Sequence, residues 1–284
     1  MGIEKVDLHI HSHFSDGELS PLEILRIVSG SGISVFSITD HNVLIGDSDL
    51  VRKAAERTGV RYVEGIEVSC IDRETGESLH LLGYSRRFDR KMMGSGLNGT
   101  IDGYNLRARG IIDRLNREFP GIDLDFEPIH SSRKEAYTTR NTLARMLVDF
   151  VGGSMTLKEA LKNHVWIKED DSWMLSSNEA LELIRTAGGC PVLAHSERIW
   201  KRLGDESYEN LIDRLVTGGL GGLETSYPRF SGEDESFLVN FAGRKGLIMT
   251  GGSDWHGPHN TPDVRLGREM AGERVEDFLR AIGG

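Results

Sequence analysis

The sequence contains little cysteine and no long apolar run. Its 284 residues include two cysteines, Cys70 and Cys190, and neither belongs to a CxxC pair. A disulfide framework is therefore not expected. No apolar run approaches the length of about 20 residues that spans a bilayer, and the start, MGIEKVDLHI, lacks the basic and apolar segments of a signal peptide. We expect a cytoplasmic protein with no membrane partner.

The chain also lacks an excess of positive charge. Its formal net charge is −10 at pH 7, which disfavours binding to long duplex nucleic acid. Small phosphate-bearing ligands remain compatible with this charge, because bound divalent cations would offset it locally. Hydrophobic residues make up 38% of the chain, so it can bury a sizeable core.

The order of predicted elements indicates an α/β barrel that is interrupted by helices. Strands and helices alternate through the first 72 residues, and a hairpin turn is expected at 73–77. From about 86 to 175 the apolar spacing is helical, with helices expected at 103–121, 138–153 and 155–164. The strand–helix alternation then resumes. Such units form parallel strands, and about seven of them fit a closed or nearly closed barrel. We therefore expect a barrel domain at 1–85 and 176–284 with a helical insertion at 86–175.

Polar, metal-binding side chains stand where the predicted strands end. Residues 6–17, VDLHIHSHFSDG, alternate as a strand does, so that Asp7, His9 and His11 share one face. Six of the ten histidines occupy such positions. The His and carboxylate residues at or just after strand ends are His9, His11, Asp16, Asp40, His41, Glu67, His80, His195, Glu224, Asp254 and His256. Catalytic residues of barrel enzymes lie at this face and come from several strands.

This set of side chains favours divalent metal ions over other uses. Imidazoles and carboxylates without cysteine suit Mn²⁺, Fe²⁺ or Zn²⁺, and the set suffices for two or three ions if one carboxylate bridges. Each piece alone has a simpler explanation: the HxH could be two hydrogen-bonded histidines, TDHN a capping turn, and His80 a packed hairpin residue. Their joint placement favours the metal site. His13, His130, His164 and His259 fit no strand end and are expected at the surface, with His13 the best candidate for an exception.

The motifs resemble those of one known family. DLHIHS, SDG, ITDHN, GIEVS, HLLGY, LAH and GSDWHG occur in the order found in the PHP (polymerase and histidinol phosphatase) family of metal-dependent phosphoesterases, over 6–85 and 176–256. The insertion is similar to that of the stand-alone bacterial branch, which includes nucleotide phosphatases and an exoribonuclease acting from the 5′ end. The resemblance implies a distorted (β/α)7 barrel that holds up to three metal ions.

The resemblance also implies roles for individual residues. The first ion would be held by His9, His11, Glu67 and Asp254. Glu67 would bridge to a second ion, completed by His80 and His195, and the third ion would be held by Asp16, His41 and His256. Asp7 and Asp40 would accept hydrogen bonds from ligating imidazoles. The predicted catalytic residues are Glu67, His195 and Asp254.

Departures from the family pattern concern the substrate side. The usual AHP is AHS here, with Ser196 after the ligand, and Thr142 stands where the branch often has a histidine in RNTLAR. A basic loop of the branch is missing, and its nearest equivalent places Lys168 among acids. This chain therefore has the metal ligands that the resemblance implies, whereas its substrate-pocket residues differ from the family pattern.

The expected reaction is hydrolysis of a phosphate ester. A hydroxide bridging the first two ions would attack, and the third ion would orient the phosphate. Arg198 is the predicted phosphate clamp, and Arg140, Arg145 and Lys168 are further substrate-binding candidates. The expected substrate is a nucleotide or a short RNA 5′ end, contacted by aromatic residues of the insertion, which are Tyr137, Trp166 and Trp173.

Three alternatives stay open. One is a phosphatase acting on a small phosphorylated metabolite. Another is a metal-dependent amidohydrolase, which expects a bridging lysine where this chain has Glu67. The last is a non-catalytic, metal-stabilised binding domain, which the complete ligand set argues against.

Overall fold

The computed structural model describes residues 2–132, 136–166 and 171–283. Its centre is a mixed sheet of eight strands in the order β7-β6-β5-β4-β3-β2-β1-β8. The strands are β1 Ile3–Asp7, β2 Val35–Ile38, β3 Arg61–Asp72, β4 Glu77–Ser85, β5 Cys190–Leu193, β6 Gly222–Ser226, β7 Ile248–Gly251 and β8 Arg268–Ala271. Most neighbours are parallel, but β4 runs antiparallel to both β3 and β5, and β8 runs antiparallel to β1.

The segments after β1 and β7 close the sheet into a barrel. The amide of Leu8 donates to the carbonyl of Gly251 at 3.0 Å, and the amide of Asp254 donates to the carbonyl of His9 at 2.8 Å. A parallel bridge between Ile10 and Trp255 continues the pairing. This approach requires glycine at 252, because a Cβ there would lie 2.3 Å from the Cβ of His9.

Helices surround the barrel and form the insertion. The helices of the barrel are α1 Pro21–Gly30, α2 Ser48–Thr58, α7 Ser177–Thr186, α8 Glu197–Leu203, α9 Asp205–Thr217, α10 Gly232–Lys245 and α11 Gly272–Ala281. Between β4 and α7 lie α3 Arg90–Glu118, α4 Phe126–Ser131, α5 Arg140–Phe150 and α6 Leu157–Ala160. Helix α6 continues as a π-helical turn, Leu161–Val165. Ser20 caps α1 in a capping box with Glu23.

The apolar core consists of separate clusters. Side chains of α1 and α2 pack on one side of the barrel, and those of α7, α9 and α10 pack on another. Val275 and Phe278 of α11 pack with Tyr84, near the end of the barrel where β4 finishes. The insertion has a core of its own from Ala108 to Val165, whereas Met93 and Leu97, in the first turns of α3, belong to a barrel cluster.

The predicted fold class is confirmed, although some elements differ from the prediction. Helix α8, Glu197–Leu203, was not predicted. The barrel includes an eighth strand, β8, that the sequence did not indicate. Helix α3 begins at Arg90, 13 residues before the predicted start at 103, and the short helix α4 was not predicted. The division of the chain into domains at 85 and 176 stays a prediction. Among the residues that the structure describes, no helix is long and apolar enough to cross a membrane.

Candidate metal centre

The barrel brings the predicted ligands to one mouth. His9 and His11 follow β1, and His41 follows β2, where it forms a parallel bridge with Glu67 of β3. His80 lies in β4, and because β4 is antiparallel to β3, its imidazole meets Glu67 across the hairpin. The remaining candidates lie after β5 and β7 and in the loop that follows β1; they are His195, Asp254, His256 and Asp16.

Glu67 lies at the middle of this group, and its two oxygens face different histidines. Oε2 is 3.2 Å from Nε2 of His9, 3.1 Å from Nε2 of His11 and 3.1 Å from Nδ1 of His41. Oε1 is 2.8 Å from Nδ1 of His80 and 3.3 Å from Nε2 of His195. One fully buried carboxylate thus separates two sets of imidazoles, as a bridging ligand would.

Within the part of the chain that the structure describes, three overlapping groups of ligand atoms are compact enough to hold ions. Within each group, the ligand atoms lie within 4.8 Å of one another. The groups are His9, His11, Glu67 and Asp254; His41, Glu67 and His80; and His11, Asp16, His41 and His256. The first has the same members as the predicted first site. His195 contacts the oxygen of Glu67 that also faces His80, and Asp16 lies 3.2 Å from Nε2 of His256.

Unpaired buried atoms indicate that the cluster fits metal ions. Nε2 of His9, Nε2 of His11, Nδ1 of His41 and Oε2 of Glu67 are buried and have no hydrogen-bond partner in the described part of the chain. Leaving such atoms unsatisfied is costly, whereas a divalent cation would satisfy nitrogen and oxygen donors together. The donor set thus fits divalent metal ions.

The electrostatics of the cluster depend on burial and on mutual contacts. Burial alone would raise the pKa of Glu67, but the neighbouring His41, His9 and His80 outweigh burial and hold that pKa well below its usual range. Burial alone would lower the pKa of His11, yet the carboxylates of Asp254 and Glu67 raise it to about 10. For His41 burial prevails and lowers the pKa to about 4. The site thus favours ionised carboxylates.

The backbone at three of these strand ends is strained. His195 has φ 28°, and Asp254 and Asn42 each have φ 55°. Non-glycine residues adopt this left-handed region rarely, and such residues cluster at functional sites. His195 and Asp254 both contact other members of the cluster.

The predicted contacts of Asp7 and Asp40 with ligating imidazoles stay a prediction, and the structure shows which other groups these carboxylates bind. Asp7 accepts backbone hydrogen bonds from Ser253 at 2.9 Å and Gly267 at 2.7 Å, so it fixes loops. Asp40 accepts hydrogen bonds from the hydroxyls of Ser12 and Ser15. The hydroxyl of Ser15 also lies 3.5 Å from Nδ1 of His11. The hydrogen bonds given for both carboxylates come from backbone amides or serine hydroxyls.

Glu224 and Tyr227 contact predicted ligands directly. Glu224 approaches Nδ1 of His9 at 3.0 Å, and the hydroxyl of Tyr227 donates to Asp254 at 3.0 Å. The sequence pattern predicted Glu224 at a strand end but did not indicate that it contacts His9. Nothing in the sequence pointed to Tyr227, because the residue follows β6 without any motif.

The predicted substrate-binding residues are dispersed. Arg140 lies over the ring of Trp166, 4.4 Å from its centroid, and both line a cavity of about 580 Å³ that also reaches Asp16, His41 and His80. Arg145 binds the side chain of Asn260 in a second cavity that Asp16 also lines. Arg198 is exposed on α8. Lys168 lies outside the described residues.

The three aromatic residues predicted to contact the substrate differ in their exposure. Trp166 is 66% exposed and available to a ligand. Tyr137 is buried and stacks on Tyr104, with ring centroids 4.5 Å apart, and Trp173 packs edge-on against the same Tyr104 at 4.9 Å. The insertion therefore uses Tyr137 and Trp173 largely for its own packing.

A barrel with histidines and carboxylates gathered at one mouth defines the class, which is a metal-dependent hydrolase. A model of the PHP domain family matches residues 7–217, and the chain belongs to this family.

Comparison with known proteins agrees with this membership. The phosphoribosyl 1,2-cyclic phosphate 1,2-diphosphodiesterase of Eggerthella lenta is 30% identical over 255 residues, 88% of this chain and 94% of that protein. The 3′,5′-nucleoside bisphosphate phosphatase of Chromobacterium violaceum is 29% identical over 259 residues, 89% of this chain and 87% of that protein.

A solved structure has the same fold. It is a protein of Bifidobacterium adolescentis assigned as a metal-dependent phosphoesterase, with a TM-score of 0.78 and 25% identity over 97% of this chain and 95% of that one. The predicted family and the predicted class, a metal-dependent hydrolase of phosphoric esters, are confirmed at this level.

Proposed function

We propose that the protein hydrolyses a phosphate ester of a nucleotide or of a short RNA 5′ end, with two to three divalent ions of Mn, Fe or Zn. The first ion is assigned to His9, His11, Glu67 and Asp254. The second is assigned to Glu67, His80 and His195, and the third to Asp16, His41 and His256. Divalent ions at this cluster would lower the pKa of water and offset the charge of the phosphoryl oxygens.

The cavity of about 580 Å³ carries the proposal for the substrate, because its lining joins the ligand cluster to the insertion. Asp16, His41 and His80 form one end, and Tyr104, Arg107, Arg140 and Trp166 belong to the wall that the insertion supplies. A volume of this size suits a nucleotide-sized ligand. A phosphate at the cluster would leave the rest of the molecule against this wall.

The wall offers the contacts that a base and a phosphate need. The exposed indole of Trp166 can stack on a base, a contact worth about 1–3 kcal/mol. The guanidinium of Arg140, over that indole, brings positive charge to the cavity for a phosphate or for the base itself. Asn42, next to His41, donates to the hydroxyl of Tyr137 at 3.2 Å and so ties the wall to the cluster.

The two curated relatives differ in whether the substrate in their name carries a base. By name, the Chromobacterium enzyme acts on a nucleoside bisphosphate, and the Eggerthella enzyme on a phosphoribosyl cyclic phosphate, which has no base. The exposed indole beside the cluster favours a substrate that carries a base.

Substitutions in the wall test the proposal. Trp166→Ala and Arg140→Ala should raise KM for a 3′,5′-nucleoside bisphosphate about 10-fold, the loss expected for one stacking contact, while KM for para-nitrophenyl phosphate stays unchanged. Steady-state phosphate release measures both constants.

Phe150→Ala is the matched control, because Phe150 is an exposed aromatic residue of the same insertion at the end of α5. It should change neither constant. Equal losses on the nucleotide and on the generic ester would mean that the wall supports only the fold, and the nucleotide proposal would fail.

A further inference from the structure

Glu224 is a buried acid in the mouth of the barrel that no role above accounts for. It lies in β6 and is fully buried. Its Oε1 is 3.0 Å from Nδ1 of His9, and its Oε2 accepts the backbone N–H of His195 at 2.7 Å. Its two oxygens thus contact two residues that are assigned to different ions.

The contact with His9 selects a tautomer. A carboxylate can only accept, so the proton of the neutral imidazole lies on Nδ1, which leaves a lone pair on Nε2. That Nε2 is buried without a hydrogen-bond partner in the described residues and faces Oε2 of Glu67 at 3.2 Å and Oδ1 of Asp254 at 3.5 Å. Glu224 therefore turns the coordinating nitrogen of His9 toward the other ligands of the first group.

The contact with His195 holds a strained strand end. His195 has φ 28°, a conformation that persists only where its surroundings impose it. The bond from its amide to Glu224 is one such constraint, and in this conformation Nε2 of His195 lies 3.3 Å from Oε1 of Glu67. The same acid therefore also places a ligand of the second group.

We infer that Glu224 is a positioning residue that couples the first and second ion sites, holding the tautomer of His9 with one oxygen and the backbone of His195 with the other. This inference rests on the proposed metal role of the cluster. It goes beyond the ligand set, because Glu224 would contact no ion itself.

Glutamine at this position tests both contacts at once. Glu224→Gln keeps the shape, but its amide has one acceptor where two partners donate. Either the His195 amide faces an NH₂ group, or His9 must accept at Nδ1 and move its proton to Nε2. Both arrangements weaken metal binding without removing a ligand.

The experiment compares Glu224→Gln with Glu64→Gln in the full chain. Glu64 is also a buried strand carboxylate, but it accepts from the amide of Phe88 at 3.0 Å and pairs with Arg90, away from the imidazoles. Mn²⁺ affinity is measured by competition with a fluorescent chelator, metal content by elemental analysis, and folding by melting of the metal-free proteins.

The expected result is a 10–100-fold loss of Mn²⁺ affinity for Glu224→Gln, which is the effect typical of a group that orients a ligand. Glu64→Gln should bind Mn²⁺ as the wild type does, even where its melting temperature falls. If Glu224→Gln does not fold, Glu224→Asp replaces it, because the shorter acid keeps the charge but cannot reach both partners.

Wild-type Mn²⁺ affinity in the tested Glu224 variant overturns the inference, and so does an equal loss in Glu64→Gln. A wild-type protein that binds no Mn²⁺ contradicts the proposed function instead, so the two failures are distinguishable.

Discussion

At the scale of single residues, the environment of Glu67 distinguishes it from the other acids of the cluster. Five imidazoles lie within 3.3 Å of its oxygens, whereas Asp16 has one imidazole at 3.2 Å and two others at 3.7 and 3.9 Å. A carboxylate that serves two ions should matter more than one that serves a single ion.

We therefore predict that Glu67→Gln lowers phosphate release by at least about 100-fold and removes more metal than Asp16→Asn does. Elemental analysis and steady-state kinetics on the same preparations measure both effects. If the two variants keep similar metal and similar activity, Glu67 does not bridge.

The sequence predicted which residues gather at the mouth better than it predicted their partners. Strand periodicity alone places His9, His11 and Glu67 on the inner face, because side chains alternate with a period of two. Hydrogen-bond partners depend on distant segments: Asp7 binds amides 246 and 260 positions away, and Glu224 meets His9 across 215 positions. No local pattern carries that information.

At the scale of elements, the hairpin of β3 and β4 is anchored outside the metal centre by Asp72. This buried acid accepts from the amide and the hydroxyl of Thr75, from the hydroxyl of Ser177 and from Arg214. Burial alone would raise its pKa, but the hydrogen bonds of Thr75 and the charge of Arg214 outweigh burial and lower the pKa below its usual value. The acid thus joins the hairpin to α7 and α9.

We predict that Asp72→Asn lowers the free energy of unfolding by about 1–3 kcal/mol at pH 7, the cost of breaking buried bonds to a charged group. Because the pKa is lower in the folded state than in the unfolded state, the stabilisation is complete above about pH 4 and is lost as the pH falls through the folded-state pKa. Urea unfolding of both metal-free proteins between pH 7 and pH 3 measures the difference. A difference that stays constant down to pH 3 contradicts the assigned bonds.

The elements that the sequence did not predict depend on tertiary contacts. β8 has one buried residue among four, Met270, and forms because the free edge of β1 pairs with it from Ile3 to Val6. The first turns of α3 contain Gly94, Gly96 and Gly99, which weaken the helical signal. At Gly96 the helix passes close to α7, where a Cβ would lie 2.5 Å from the side-chain end of Leu183 and would displace it.

At the scale of the whole molecule, the barrel and the insertion divide the proposed work. In this proposal the barrel supplies ligands for ions that would interact with any phosphate, and the insertion supplies a wall that would distinguish what the phosphate is attached to. A chain with a net charge of −10 attracts anionic substrates poorly, and bound ions would offset that charge at the mouth. Metal content and hydrolysis should therefore rise and fall together.

The most direct test measures metal content and phosphate release on the same sample. After reconstitution with Mn²⁺, we predict about two to three equivalents of metal per chain and hydrolysis of a 3′,5′-nucleoside bisphosphate. A chelator should abolish both, and added Mn²⁺ should restore both. Fewer than about one equivalent after reconstitution, or hydrolysis that persists in the metal-free protein, would contradict the metal-dependent mechanism.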